Sequence, residues 1–192
     1  VLDRSERILS SMKTTSHVSK IVALLLGLTA ATMCCAQTYA KGFRLKSPVI
    51  RNNGGNLPLE FTCDGEAASL PFTWSDPPEG TKSLAITMHH IPPDDEEKHV
   101  YIVLYNIPPT VRAIPKNSKD IGIWGQNSMR RATGYTPPCS RGGGIKIYTA
   151  TLYALSVDSF DFKDTPKGMV TMDQLLDAAR GKILATSTLD IV

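Results

Sequence analysis

The chain has 192 residues, a formal net charge of +3 and 42% hydrophobic residues. That length suffices for one well-buried core and is short for two domains. From Lys41 onward 17 Lys and Arg stand against 16 Asp and Glu, and the absence of a basic stripe or an acidic tail excludes a nucleic-acid footprint or a solvating tail.

In chain order, residues 1–40 read as upstream residues and a secretory signal peptide, ahead of one domain at 41–192. Met12 fits a translation start. Lys13 and Lys20 supply a positive region, residues 21–31 an apolar run, and the small residues after it two cleavage positions, behind Ala36 or behind Ala40. The run is shorter than the roughly 20 residues that cross a bilayer, which leaves an uncleaved anchor as the weaker alternative. Cys34 and Cys35 sit at lipoprotein depth, but Met33 is a poor residue before a lipid-bearing cysteine. The expected product is periplasmic or secreted, with no stable membrane insertion after cleavage. Cys63 and Cys139 remain in it, and in an oxidising compartment they either pair or stay as separate buried thiols.

The rest reads mostly as strands. Pro48, Asn52-Asn53-Gly54-Gly55 and Pro77-Pro78-Glu79-Gly80 mark turns. Residues 83–88 alternate and break at Pro92-Pro93, residues 100–105 are nearly all β-branched or aromatic, and residues 147–155 alternate again. One helix is predicted. Thr171 caps it, Gln174 completes a capping box, Met172, Leu175, Leu176 and Ala179 form its apolar face, and Gly181 ends it. A last strand covers 183–189. Many strands followed by a late helix predict a mainly β domain with peripheral helix.

Few side chains carry chemistry. In Cys139-Ser140-Arg141-Gly142-Gly143-Gly144-Ile145-Lys146 the three glycines can turn backbone N–H groups into an anion-binding concavity flanked by Arg141 and Lys146. An ordinary glycine-rich surface loop is the plainer alternative. His89 and His90 are adjacent in a strand and point to opposite faces, so one is expected to line a pocket and the other to face solvent. With His99, Asp94 and Asp95 they lack zinc-like spacing, and no metal site or cofactor is expected. The charge run at 94–98 fits a solvated loop. Trp124 and Tyr135 fit either pocket walls or core. No Gly-x-Ser-x-Gly, no phosphate loop and no defensible pair of carboxylates points to an enzyme, so no catalytic residue is assigned.

The order of several segments is more specific than any one of them. Ser47-Pro48, Leu57-Pro58, Phe61-Thr62-Cys63-Asp64-Gly65, Trp74, residues 80–85, Val103-Leu104-Tyr105-Asn106-Ile107-Pro108, Gly134-Tyr135, Pro137-Pro138-Cys139, Tyr153-Ala154-Leu155 and residues 181–185 together resemble the bacterial Raf-kinase-inhibitor-like branch of the phosphatidylethanolamine-binding proteins. The resemblance implies a β-sandwich with small peripheral helices and an anion pocket at one end. It also brings the segments of Cys63 and Cys139 towards that pocket. The family's pocket chemistry is altered here: His90 and Pro92 stand at its two aspartates, Tyr101 at one histidine, and Lys146-Ile147-Tyr148 at its His-Arg-Tyr. The expected ligand set is therefore His90, Tyr101, Tyr135, Lys146 and Tyr148, with Gly142, Gly143 and Gly144 at the rim. The implied function is non-enzymatic binding of a small anionic or phosphoryl ligand. The alternative is an inhibitor-like modulator of a protein partner, with a vestigial pocket.

Overall fold

The computed structural model describes residues 42–93, 97–139 and 143–192. The expected signal segment, the charge run from Asp94 to Glu96, and Ser140, Arg141 and Gly142 lie outside the described residues. Eight strands are present: β1 (Leu45–Lys46), β2 (Phe72–Trp74), β3 (Ser83–His90), β4 (His99–Ile107), β5 (Ala113–Ile114), β6 (Ile123–Trp124), β7 (Tyr148–Leu155) and β8 (Ile183–Ile191). Two short helices accompany them, α1 (Pro48–Asn52) and α2 (Met172–Ala179), with a 3₁₀ turn at Leu59–Phe61. The strands form an antiparallel five-stranded sheet in the order β6-β4-β3-β7-β8 and a three-stranded sheet in the order β1-β2-β5.

Alternation along β3 explains how the layers stack. Leu84, Ile86 and Met88 face one way and join Leu45, Phe72, Trp74 and Ile114 of the small sheet in the main core. Ala85 faces the other way and joins Val103, Tyr105 and Leu155 beneath Met172, Leu175 and Ala179 of α2. The fold is thus a two-sheet sandwich with α2 on the outer face of the larger sheet. Leu45 N–H donates to the buried Ser187 hydroxyl on β8 at 2.8 Å and stitches the two sheets.

The helix expected at Thr171 forms with both halves of its capping box. Gln174 N–H donates to the Thr171 hydroxyl at 3.3 Å, and Thr171 N–H donates to the Gln174 side chain at 2.9 Å. Gly181, at φ +71, follows its last turn in the left-handed region that glycine enters without strain. One expectation is corrected. Pro48 opens the short helix α1 rather than a separate turn, because at its first position a fixed φ and a missing N–H cost nothing, and the turn expected from Asn52 to Gly55 follows at residues 53–55. The small sheet and β6, each strand two or three residues long, had no periodicity to announce them.

Two register shifts interrupt the pairing of β3 with β4, one between Leu84 and Ile86 and one between Met88 and His89. At the first, Asn106 takes φ +54, and its side chain donates to the Phe160 carbonyl at 3.0 Å and accepts from Phe160 N–H at 2.8 Å. At the second, Met88 pairs with Ile102 and His89 with Val100, which leaves Tyr101 as the extra residue. A bulge of this kind re-aims a side chain. Tyr101 turns into the main core beside Ile102 instead of alternating away from it.

Cys63 and Cys139 are disulfide-bonded, with Cα atoms 5.3 Å apart and a separation of 76 positions in sequence. Cys63 N–H also donates to the Pro138 carbonyl at 3.1 Å. Closing a loop of that length stabilises the folded state by about 4 kcal/mol in the chain-entropy treatment. Chemical denaturation of Cys63→Ser/Cys139→Ser is expected to show a loss of that order, and an unchanged unfolding midpoint would remove the bridge from the account of stability.

Candidate functional site

The end of β3, the bulge in β4 and the start of β7 bring three of the expected site residues together. The His90 and Tyr148 ring centroids lie 5.4 Å apart, and Tyr101 meets Tyr148 edge-to-face at 5.4 Å. His99 lies 6.3 Å from His90, also edge-on. All three expected residues are buried: His90 is 7% exposed, Tyr101 4% and Tyr148 4%. His90 Nδ1 hydrogen-bonds the Ile147 carbonyl at 2.8 Å. The carbonyl can only accept, so Nδ1 carries the proton in this contact.

Tyr135 enters from the loop before the disulfide. Its hydroxyl donates to the Phe61 carbonyl at 2.6 Å, and Thr136 N–H donates to the Tyr101 carbonyl at 3.4 Å. The Tyr135 hydroxyl is therefore spent on holding the turn at residues 59–61, and Tyr135 contributes to the site as a wall. Lys146 is half-buried, two residues before Tyr148. Gly143 and Gly144 are exposed with open space around them, and Gly144 takes φ +93. Gly142 and Arg141 lie outside the described residues, so the expected anion concavity is only half in view. Ile145 and Ile147 on either side of Lys146 are 83% and 50% exposed.

His89 departs from expectation. It is half-buried rather than solvent-facing, and its Nδ1 is shut off from water with no hydrogen-bond partner. Burial pushes its pKa down, Lys98 and His90 push the same way, and Asp190 opposes them weakly. His89 is therefore a neutral ring packed at the sheet.

Burial, with a smaller push from Tyr148, raises the Tyr101 pKa to about 12. Burial first, and Tyr101 and Tyr148 after it, push Tyr135 up as well. Tyr101 and Tyr148 thus lie close enough to act on Tyr135, and at neutral pH the Tyr101 and Tyr135 phenols keep their protons, that of Tyr135 being given to the Phe61 carbonyl.

Two cavities open elsewhere. One of about 510 Å³ is lined by Ala67, Ser69, Asn117, Ser118, Lys119, Trp124, Thr133, Gly134 and Tyr135. Another of about 770 Å³ lies between Glu97, Lys98, the 126–131 segment and the start of α2. Of the expected ligand residues that are described, only Tyr135 lines either one. Sequence reasoning left Trp124 open between pocket wall and core, and it missed Ser69, Asn117 and Lys119, which come from separate loops and share no motif.

Comparison with known proteins gives a consistent result. The family model described as phosphatidylethanolamine-binding protein matches residues 47–192. A UPF0098 protein of Aquifex aeolicus is 37% identical over 143 residues, covering 69% of this chain and 78% of its own. The crystal structure of CT736 of Chlamydia trachomatis, a candidate phosphatidylethanolamine-binding protein homologue, superposes with a TM-score of 0.66 at 28% identity, covering 79% of this chain and 96% of that one. LppC of Mycobacterium tuberculosis, named as a candidate lipoprotein, is 25% identical over 156 residues, covering 79% of this chain and 74% of its own.

The raised phenol pKa values fix the sign of an alkaline effect. A tyrosine whose folded pKa lies above its ordinary value near 10 favours folding fully below that value, and the contribution is lost as pH rises through the folded pKa. Unfolding free energy is expected to fall from about pH 10 to about pH 12, and Tyr101→Phe should lessen the loss by roughly 1 kcal/mol near pH 11. Denaturant titrations with tyrosinate absorbance as the second readout test this. An identical alkaline loss in Tyr101→Phe would contradict it.

Proposed function

This chain belongs to the phosphatidylethanolamine-binding protein family, and from that premise we propose that it is a non-enzymatic binding protein of the cell envelope that takes a small anionic or phosphoryl-bearing ligand. The observation that carries the reading is the convergence of His90, Tyr101 and Tyr148 at one end of the larger sheet, immediately after the segment containing Lys146. The family's acidic groups are gone from this place, and an imidazole, phenols and an ammonium stand there instead. Protonated phenols and an ammonium are hydrogen-bond donors, so the set favours an acceptor-rich, negatively charged guest. The envelope assignment is supported by the leader read in the first forty residues and by the likeness to LppC. Among the described residues no helix is long and apolar enough to cross a membrane.

A second reading has its own observation. His90, Tyr101 and Tyr148 are each less than a tenth exposed and their rings lie against one another. A site filled by its own side chains is vestigial, and the exposed Ile145 and Ile147 beside it would then meet a protein partner.

Calorimetric titration of inorganic phosphate, phosphoethanolamine and acetate into the protein and into Lys146→Ala separates the two. Binding by the protein, weakened by roughly 1.5–3 kcal/mol in the variant, is expected for loss of one charge-assisted hydrogen bond. Equal binding by both, or none by either, rejects the anion site and favours the partner surface.

A further inference from the structure

We propose a second ligand site, separate from the His90–Tyr148 cluster, in the cavity bounded by Trp124 and Tyr135, and we infer that it takes a small organic carboxylate with a planar apolar body. The cavity measures about 510 Å³, within the range of small-molecule pockets. Three chain segments build it, and they are tied to one another. Ser69 N–H donates to the Asn117 side-chain oxygen at 2.8 Å, and Asn117 N–H donates to the Ser69 hydroxyl at 3.0 Å. Gly134 N–H donates to the Gly125 carbonyl at 3.0 Å and holds the third segment beside Trp124. The walls are thus preformed rather than gathered by a guest.

Two of the polar groups of this cavity are donors with no partner among the described residues. The Asn117 side-chain oxygen is already used by Ser69, which leaves its amide N–H₂. Lys119 is exposed at the rim and takes part in none of the ion pairs among the described residues. Trp124 Nε1 has no acceptor and is sealed from water, whereas the cavity admits water-sized guests, so Trp124 meets the cavity through other atoms of its ring. Four buried side-chain atoms among the described residues share that condition, in Ser47, Trp74, His89 and Trp124, and Trp124 alone belongs to a residue lining either cavity. No carboxylate is among the described residues that line it. A carboxamide N–H₂ and an ammonium outside the ion pairs, with no carboxylate beside them, suit an anion, while the Trp124 and Tyr135 rings offer apolar surface to a planar body.

The chain has two tryptophans, so its two indole N–H resonances can be followed separately in isotope-labelled protein. Benzoate and phenylacetate are the probes, and benzyl alcohol is the uncharged comparison. Saturable movement of the Trp124 resonance, with Trp74 still, is expected for both acids and not for the alcohol. Lys119→Ala, a change at an exposed side chain, is expected to weaken the acids about tenfold or more, as loss of a charge-assisted hydrogen bond does. Lys146→Ala should leave this response unchanged, so failure of the anion reading at the other site does not alter it. No saturable shift at Trp124, an equal response in Lys119→Ala, or a response abolished by Lys146→Ala overturns the second site.

Discussion

Strand β3 is buried on both faces, and the remaining elements are arranged to cover it. Seven of its eight residues are buried. A strand in that position needs a hydrogen-bonded neighbour along each edge, and β4 and β7 provide them. It also needs an apolar layer above and below. The short strands β1, β2 and β5 supply one, although none is long enough to stand alone. Helix α2 supplies the other. Because the demand comes from β3, the covering elements can be brief and irregular, provided that Phe72, Trp74 and Ile114 on one side and Leu175 and Ala179 on the other reach it.

The same strand delivers the candidate site. Its last residue is His90, and the bulge opposite turns Tyr101 out of strict alternation and into the main core. Backbone ties then draw the 59–63 turn and the 134–139 loop together at that end of the sandwich. The Tyr135 hydroxyl, the Cys63 N–H and the disulfide all cross the same gap. Cross-links of three kinds at one place make the loop a rigid part of the scaffold, which a binding site needs if ordering it is not to consume the affinity. Tyr135 has a double role here. It lines the neighbouring cavity, and its phenol feels Tyr101 and Tyr148, so it stands between that cavity and the ring cluster.

The chemistry at this end follows from which groups replace the family's acids. Carboxylates would favour cations or need protonation to accept an anion. On the proposed reading, an imidazole with Nδ1 committed to the Ile147 carbonyl, buried protonated phenols and a nearby lysine would reverse that preference. The cost is space. The rings of His90, Tyr101 and Tyr148 pack against one another, and this packing is the physical ground on which the binding and partner-surface readings compete.

The sequence by itself was sufficient for the long elements. Strands β3, β4, β7 and β8 show their alternation or β-branched character, and α2 shows a capping box and an apolar face, because these signals act between near neighbours in the chain. The ordered motifs were also enough to identify the fold and to nominate His90, Tyr101, Tyr135 and Tyr148. Local signals could not announce β1, β2, β5 and β6, which exist only because β3 and its neighbours need covering. Nor could they show that Tyr101 occupies a bulge, that His89 is half-buried with one nitrogen sealed off, or that Tyr135 spends its hydroxyl on Phe61, since each depends on partners far along the chain. The cavity joining Ser69, Asn117, Lys119 and Trp124 is the plainest case. Its polar groups lie on separate loops with no common spacing, and only tertiary packing sets them around one space.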